Sequence, residues 1–319
     1  MKKHVNRLCL FFCLCSILII SCQKETSEDV DPMAVFNLLA GDSDCGATIL
    51  NGNFFEGKQL SAGQNLQVPV YIFKAGKWSF STDTLNGFSF AGSGEFTDTG
   101  RHLITLTASG IPTATGTIFF SAATGSTKQL ISVSVLKENI TLETVPSKSY
   151  FQATIAGVKY YIVSPIVGPD NVPSSRGGVD TVSFGSAVSP MIYPNPPGTG
   201  TITQQKGYLY GFSTSTETDF KNFFQPGSYP YSAKICGQAL PGMIIFWNDS
   251  DSQGWTTLKE FADQSGSHFT ITGIEDGHDS KGIYFVKVRS RFKCRLYGIR
   301  TTQMIELTDG EMVSYYFKR

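Results

Sequence analysis

Between Leu66 and Ile72 the apolar side chains Leu66, Val68, Val70 and Ile72 occupy every second position, alternating with Gln67, Pro69, Tyr71 and Phe73. A period of two puts one set on each face of a strand and leaves a helix no continuous apolar stripe. The same rhythm returns down the chain. The turn Ala75-Gly76-Lys77 returns into Trp78-Ser79-Phe80, followed by Phe88 and Phe90, Leu103 to Thr107, Ile118-Phe119-Phe120, and Ile131, Val133 and Val135. Turn signals separate the runs: Asn86-Gly87, Gly92-Ser93-Gly94, Asp98-Thr99-Gly100, Ser109-Gly110 and Gly125-Ser126. Short strands at this spacing predict an all-β chain whose first sandwich covers residues 45–138. Composition agrees with that class, since charged residues are only 16% of the chain against roughly 25% in average globular proteins.

A polar joint, KENITLETVPSKS at 137–149, leads into a second β-sandwich predicted over 150–319. It opens with a hairpin, Phe151 to Ile155 and Val158 to Ile162 about the turn Ala156-Gly157. Ten of the 14 prolines then fall between Pro165 and Pro241, which predicts long ordered loops. Glu217 to Phe224 suggests one short helix. Strands resume at Gly242 to Trp247, His268 to Ile274, Gly282 to Leu296 and Met312 to Phe317.

The first 21 residues have the organisation of an export signal. Lys2, Lys3 and Arg7 precede the apolar run Leu8 to Ile20, which is shorter than the roughly 20 apolar residues a bilayer span needs. Ordinary cleavage wants small residues at −3 and −1, and Ile19 does not fit. Leu18-Ile19-Ile20-Ser21-Cys22 instead resembles the lipobox of bacterial lipoproteins, which implies cleavage before Cys22 and lipid on its sulfur. Two or more acyl chains make such anchoring stable. Gln23 to Asp29, a lysine followed by acids, resembles the export tag of surface lipoproteins of the Bacteroidota. That likeness implies an outer-membrane protein facing the exterior, with residues 22–44 as a tether. Loss of residues 1–21 removes three of the 26 Lys and Arg and none of the 26 acids, for a net charge of −3. Such a balance argues against nucleic acid as a partner.

The run CGATILNGNFF, then NLQVPVYIFKAGKWSFST and LNGFSFAGSGEFTDTGRHLITLTASGIPTATG, resembles an Ig-like repeat of Bacteroidota surface proteins, which implies a spacer role. Those repeats often pair the first cysteine with a later one. Lys128-Gln129-Leu130 offers none, so Cys45 has no partner inside this unit. The half from Phe151 onward is similar to uncharacterised β-sandwich domains at the C-termini of Bacteroidota lipoproteins. That likeness rests on the opening hairpin, on GMIIFWNDSDSQGWTT and on SHFTITGI, and it brings no activity. Of the remaining cysteines, Cys236 and Cys294 share the second domain and are the expected disulfide in an oxidising compartment.

The most distinctive candidate site is Val286 to Leu296. Lys287, Arg289, Arg291, Lys293 and Arg295 recur at period two, placing five cations along about 27 Å of one strand face, while Val286, Val288, Phe292, Cys294 and Leu296 face the core. Two readings stay open. The stripe is the floor of a cleft for an anionic glycan or another polyanion, or it is a sheet face neutralised by acids on neighbouring strands such as Glu306 or Glu311. Asp249, Asp251 and Glu260 sit at the first, third and twelfth places of a partial calcium loop with Gly254 sixth. Against calcium stand Gln253 at the fifth place and a strand-like lead-in, which make a polar hairpin loop between Trp247 and Trp255. These two tryptophans, with Tyr193, Tyr208, Tyr210, Tyr229 and Tyr231, are candidates for a sugar-stacking platform, or for plain core packing. Asp98-Thr99-Gly100 lacks the second aspartate an aspartic protease needs. His102, His268 and His278 lack a second ligand at metal spacing. Catalytic residues are therefore not assigned. The expected function is a surface binding or adhesion module for a glycan or a protein. A hydrolase built from the Pro-rich loops and a structural subunit of a surface assembly are the alternatives.

Overall fold

The computed structural model describes residues 33–39, 48–124, 127–164, 174–176, 180–190, 198–235 and 238–319. Cys22, Cys45, Cys236 and Tyr193 lie outside them. The chain is all-β, as its alternation dictates. Strands β1 (Val35–Leu38), β2 (Ile49–Asn51), β3 (Phe54–Phe55), β4 (Asn65–Lys74) and β5 (Gly76–Ser81) open the first unit. It continues with β6 (Phe88–Phe96), β7 (Gly100–Gly110), β8 (Gly116–Thr124) and β9 (Thr127–Leu136). Six of these form one sheet in the order β1-β4-β7-β6-β5, with β2 also on β4; β3, β9 and β8 form the second. The inward row Leu66, Val68, Val70 and Ile72 is wholly buried against Phe88, Phe90, Leu106, Phe120 and Val133.

One local expectation needs correction. The turn at Ala75 does not fold β5 back on β4, because β4 pairs with β7 while β5 pairs with β6. The sheet curls instead, and the incoming chain closes it: Met33 bridges Lys77, and Ala34 N–H donates to the Lys77 carbonyl at 2.8 Å. Phe36 supplies the apolar lining of that seam, edge-on to Phe96 at 5.6 Å.

The second unit comprises β10 (Tyr150–Ile155), β11 (Val158–Val163), β12 (Ser174–Arg176), β13 (Thr181–Val188), β14 (Thr201–Tyr210) and β15 (Gly227–Tyr229). After these come β16 (Lys234–Ile235), β17 (Gln238–Ala239), β18 (Gly242–Asn248), β19 (Gly254–Thr256), β20 (His268–His278), β21 (Tyr284–Gly298) and β22 (Met304–Phe317). The expected hairpin is β10–β11, its two turn residues Ala156 and Gly157 both at positive φ (49° and 83°), as a tight primed turn requires. The expected helix is α1 (Glu217–Phe223), held by a capping box between Thr216 and Asp219 and by buried Phe220.

All but β16 and β17 of these strands belong to one 11-stranded sheet. It becomes two layers by turning at β19, which pairs with β18 on one side and with the last residues of β21 on the other. The layers meet through polar as well as apolar groups. Gln204 on β14 donates to Ser290 on β21 at 2.7 Å, and the Tyr316 hydroxyl on β22 donates to Gln204 at 3.3 Å. A single sheet folded over its own core leaves the outward faces of β20, β21 and β22 as one broad surface, and this is where the cation stripe sits.

The two units touch at the start of β8. Gly266 N–H donates to the Thr115 carbonyl at 2.7 Å, and Phe119 meets Phe261 with ring centres 6.3 Å apart. At Gly116 (φ +124°) a β-carbon would strike the Gln264 carbonyl, so only glycine admits this approach. No helix among the described residues is long and apolar enough to cross a membrane.

Candidate functional site

The period-two reading of β21 holds residue by residue. Val286, Val288, Phe292, Cys294 and Leu296 are buried in the core, and the five cations point to the opposite face. Only part of what covers that face was expected from the sequence. The joint at 137–149 lies across it. Glu143 N–H donates to the Thr272 carbonyl on β20 at 2.8 Å, an approach possible because a β-carbon on Gly273 would collide with the Glu143 carbonyl. From that position the joint supplies acceptors to three cations in turn. Lys287 donates to the Ser147 carbonyl at 2.9 Å and lies over the Tyr315 ring at 5.1 Å. Arg289 donates through Nη1 to the Thr144 carbonyl at 3.0 Å. Arg291 donates through Nε to both oxygens of Glu143, at 3.1 and 2.9 Å.

Glu311 on β22 faces Arg291 across the strand pair and completes the cluster. It accepts from Arg289 at 3.0 and 2.8 Å and pairs with Arg291 Nη2 at 3.3 Å. Tyr150 and Gln152 on β10 also donate to it. The Glu311 side chain is 5% exposed and that of Arg289 17%, whereas Arg291 is 47% exposed. So Glu311 is the neutralising acid expected from the strand neighbours. Glu306, though opposite Arg295 in register, is not: Arg295 pairs with Asp263 from the β19–β20 connection. The hydrogen bond from Arg291 holds the Glu143 carboxyl below its ordinary range, and Thr272 and Arg289 add to this. A general acid of a glycosidase needs the opposite shift. Burial and then the Glu311 carboxylate push the Tyr150 hydroxyl up to about 12.

Beyond Arg291 the stripe opens. A groove of about 660 Å³ is lined by Gln152, His268, Arg291, Lys293, Thr308 and Asp309. A smaller hollow of about 280 Å³, on the joint's side, shares Arg291 and His268 as its wall. Lys293 faces His268 across the β20–β21 pair. Among the described residues no acid or carbonyl lies within bonding reach of the Lys293 ammonium, the one cation of the five in that position. Burial, with Lys137 and Lys293 nearby, lowers the His268 pKa, so the imidazole is neutral at pH 7 and an arriving anion would favour its protonated form.

Other expectations resolve differently. Trp247 and Trp255 are buried, so they form no open platform: Trp247 packs edge-on to Tyr160 at 4.9 Å, and the Trp255 indole donates to Asp249 at 3.1 Å. Tyr231 is buried as well. The Asp249 carboxylate also accepts from the Asp251 and Gln253 amides at 3.0 and 2.8 Å, which closes the loop on itself as a hairpin turn. Glu260 sits elsewhere, its backbone bridged to Lys234. No group of three or more His, Cys, Asp or Glu at metal-holding distance occurs among the described residues. Cys294 is a buried free thiol, and Cys236, its expected disulfide partner, lies outside the described residues; burial pushes the Cys294 thiol up to about 12, which makes it inert at neutral pH. The Asp98-Thr99-Gly100 triplet forms the β6–β7 turn, with Asp98 on His102 at 3.3 Å.

Sequence reasoning missed Glu143, Thr144 and Ser147, since two of the three act through backbone carbonyls that carry no side-chain signature. It also missed Lys206, which projects inward from β14 beside Ile202 and Gln204. Its ammonium lies 3.4 Å from the Tyr229 ring centre and 4.7 Å from that of Phe223, and burial pushes it down to about 7. Comparison with protein-family profiles, curated proteins and solved structures returned no match.

Proposed function

We propose that this chain is an exported binding module, anchored by lipid on Cys22 in the outer membrane and facing the exterior, whose second sandwich takes an acidic ligand in the groove at Arg291, Lys293 and His268. A carboxylated or sulfated glycan fits best, because its spaced anions suit an unpaired ammonium beside a half-exposed guanidinium. The single observation that carries this reading is Lys293: its four neighbours in the stripe all have acceptors, and it has none among the described residues while lining the larger groove. The Glu311 carboxylate holds two side chains of the groove wall, Arg291 and Gln152, and fixed groups bind at less entropic cost. The lipobox-like Leu18 to Cys22 supports the anchor.

A glycan array probed with the chain from Gln23, with and without calcium, tests the ligand class. Binding confined to acidic glycans and lost in Lys293→Ala supports the assignment; equal binding to neutral glycans, or none at all, removes it. Mass spectrometry of residue 22 in protein purified from membranes tests the anchor separately, and an unmodified sulfur with the leader retained would overturn it.

A further inference from the structure

The second half of the outward row of β4, Pro69, Tyr71 and Phe73, is apolar where a solvated sheet face is normally polar. Tyr71 and Phe73 stand exposed with ring centres 5.0 Å apart. Leu103 on β7, opposite Pro69, is 53% exposed, and Phe73 is 57%. Ile49 on β2, Val35 on β1 and Met33 extend the same face on the other side of β4, each more than half exposed. Apolar side chains gathered in this way mark an interaction surface rather than scattered exposure.

Three further observations say what covers it. The face belongs to the six-stranded sheet, while the second sandwich leans on the start of β8 in the other sheet, so the patch looks away from the ligand groove's domain. Met33 and Val35 are the first described residues, and only residues 23–32 separate them from Cys22, a reach of at most about 40 Å when fully extended. Finally, Lys74 beside Val35 and Arg101 opposite Tyr71 are exposed at the patch, cations among amphipathic rings, as at a headgroup boundary.

We infer that this face of the first sandwich seats on the bilayer that holds Cys22, with Tyr71, Phe73 and Leu103 at headgroup depth. The inference rests on the anchor reading above. Alone, such a patch binds lipid weakly; a tether of ten residues keeps it at high effective concentration, so weak affinity is enough. The unit is then a foot that plants the molecule in one orientation, and the second sandwich is presented outward.

Hydroxyl-radical footprinting tests this in two arms. In the first, the membrane-purified chain is compared in phosphatidylethanolamine–phosphatidylglycerol vesicles and in detergent. In the second, the chain from Gln23 with an N-terminal hexahistidine is compared free and on vesicles of the same lipids plus a nickel-chelating lipid, which supplies an anchor whatever the state of Cys22. Vesicles are expected to lower oxidation of Tyr71, Phe73 and Leu103 by about threefold or more, leaving exposed Tyr161 and Tyr210 of the second unit unchanged. Equal oxidation in the second arm overturns the inference even if Cys22 proves lipidated. Protection that rises with protein concentration without vesicles overturns it in favour of a second copy on the face. In Tyr71→Ser with Phe73→Ser, both solvent-facing, protection of Leu103 should vanish while near-ultraviolet circular dichroism stays native; retained protection would also refute it.

Discussion

Strands β4 and β21 carry the same alternation and put opposite things on their outward faces. The outward row of β4 ends in Tyr71 and Phe73, large apolar side chains left open. The outward row of β21 is five cations, and the first three lie under the 137–149 joint with acceptors at 2.9–3.1 Å. Residue type alone would have assigned these faces the other way round. The difference lies in what the rest of the chain brings near. A strand face is decided by its cover, and a cover made of main-chain carbonyls can serve cations as well as water does. An apolar face with nothing over it is free for something outside the chain.

The largest effect expected from disturbing this contrast is at Glu311. Glu311→Ala leaves the largely buried Arg289 guanidinium without its main acceptor, and breaking a buried pair on one side costs about 3–5 kcal/mol; the free energy of unfolding extrapolated from urea titrations should fall by that amount. A loss below about 1 kcal/mol, the figure for an exposed pair, would mean the covered face is solvated after all.

Next comes Lys206, a cation covered by aromatic rings instead of acceptors. Its folded-state pKa of about 7 lies below the ordinary value near 10.4. Between those two the unfolded chain holds the proton and the folded chain does not, so stability rises with pH through that window and is lost as pH falls through 7. Lys206→Met is expected to be more stable than the parent at pH 7 by about 1–3 kcal/mol, with the gain gone above pH 10.5. Thermal melts at the two pH values check this; a gain independent of pH would assign the effect to packing.

A smaller change is expected at Glu143. Glu143→Ala removes the bidentate grip on Arg291 but leaves the Thr144 and Ser147 carbonyls in place, a loss of about 1–2 kcal/mol. Limited proteolysis should then cut within 137–149 sooner than in the parent. The smallest effect belongs to the open face: Phe73→Ser should change stability by no more than about 0.5 kcal/mol. A clear loss there would show that Phe73 is held by the fold, and would end its use as a docking group.

Much of this was legible in the residues. Alternation located β4 and β21 and sorted their inward and outward rows, because a strand has only two faces and one of them must be apolar. The β10–β11 turn was legible in Ala156-Gly157, and α1 in the segment Glu217 to Phe224. The fate of β5 was not, since Ala75-Gly76-Lys77 specifies a sharp change of direction and not which neighbour the strand then takes. Nor was the burial of Trp247 and Trp255: an aromatic near a polar loop reads alike whether it points out or in. The cover over Lys287 and Arg289 was least legible of all, because its contribution is peptide oxygen, which every residue has. Gly273 was a clue, a glycine at the irregularity in β20 where another backbone comes close.

The strap formed by Glu143, Thr144 and Ser147 also sets a length. A connector that floats free tolerates insertions and deletions, since closing a longer loop costs little. This one is tied to β20 by the Glu143 N–H and to three side chains of β21, so adding or deleting a residue would move Glu143 off Arg291 or slide the two carbonyls away from their donors. The segment therefore works as a ruler between the sandwiches, and a recombinant fragment started at Tyr150 would lack the acceptors for cations it still keeps. The second sandwich, physically, begins seven residues before its first strand.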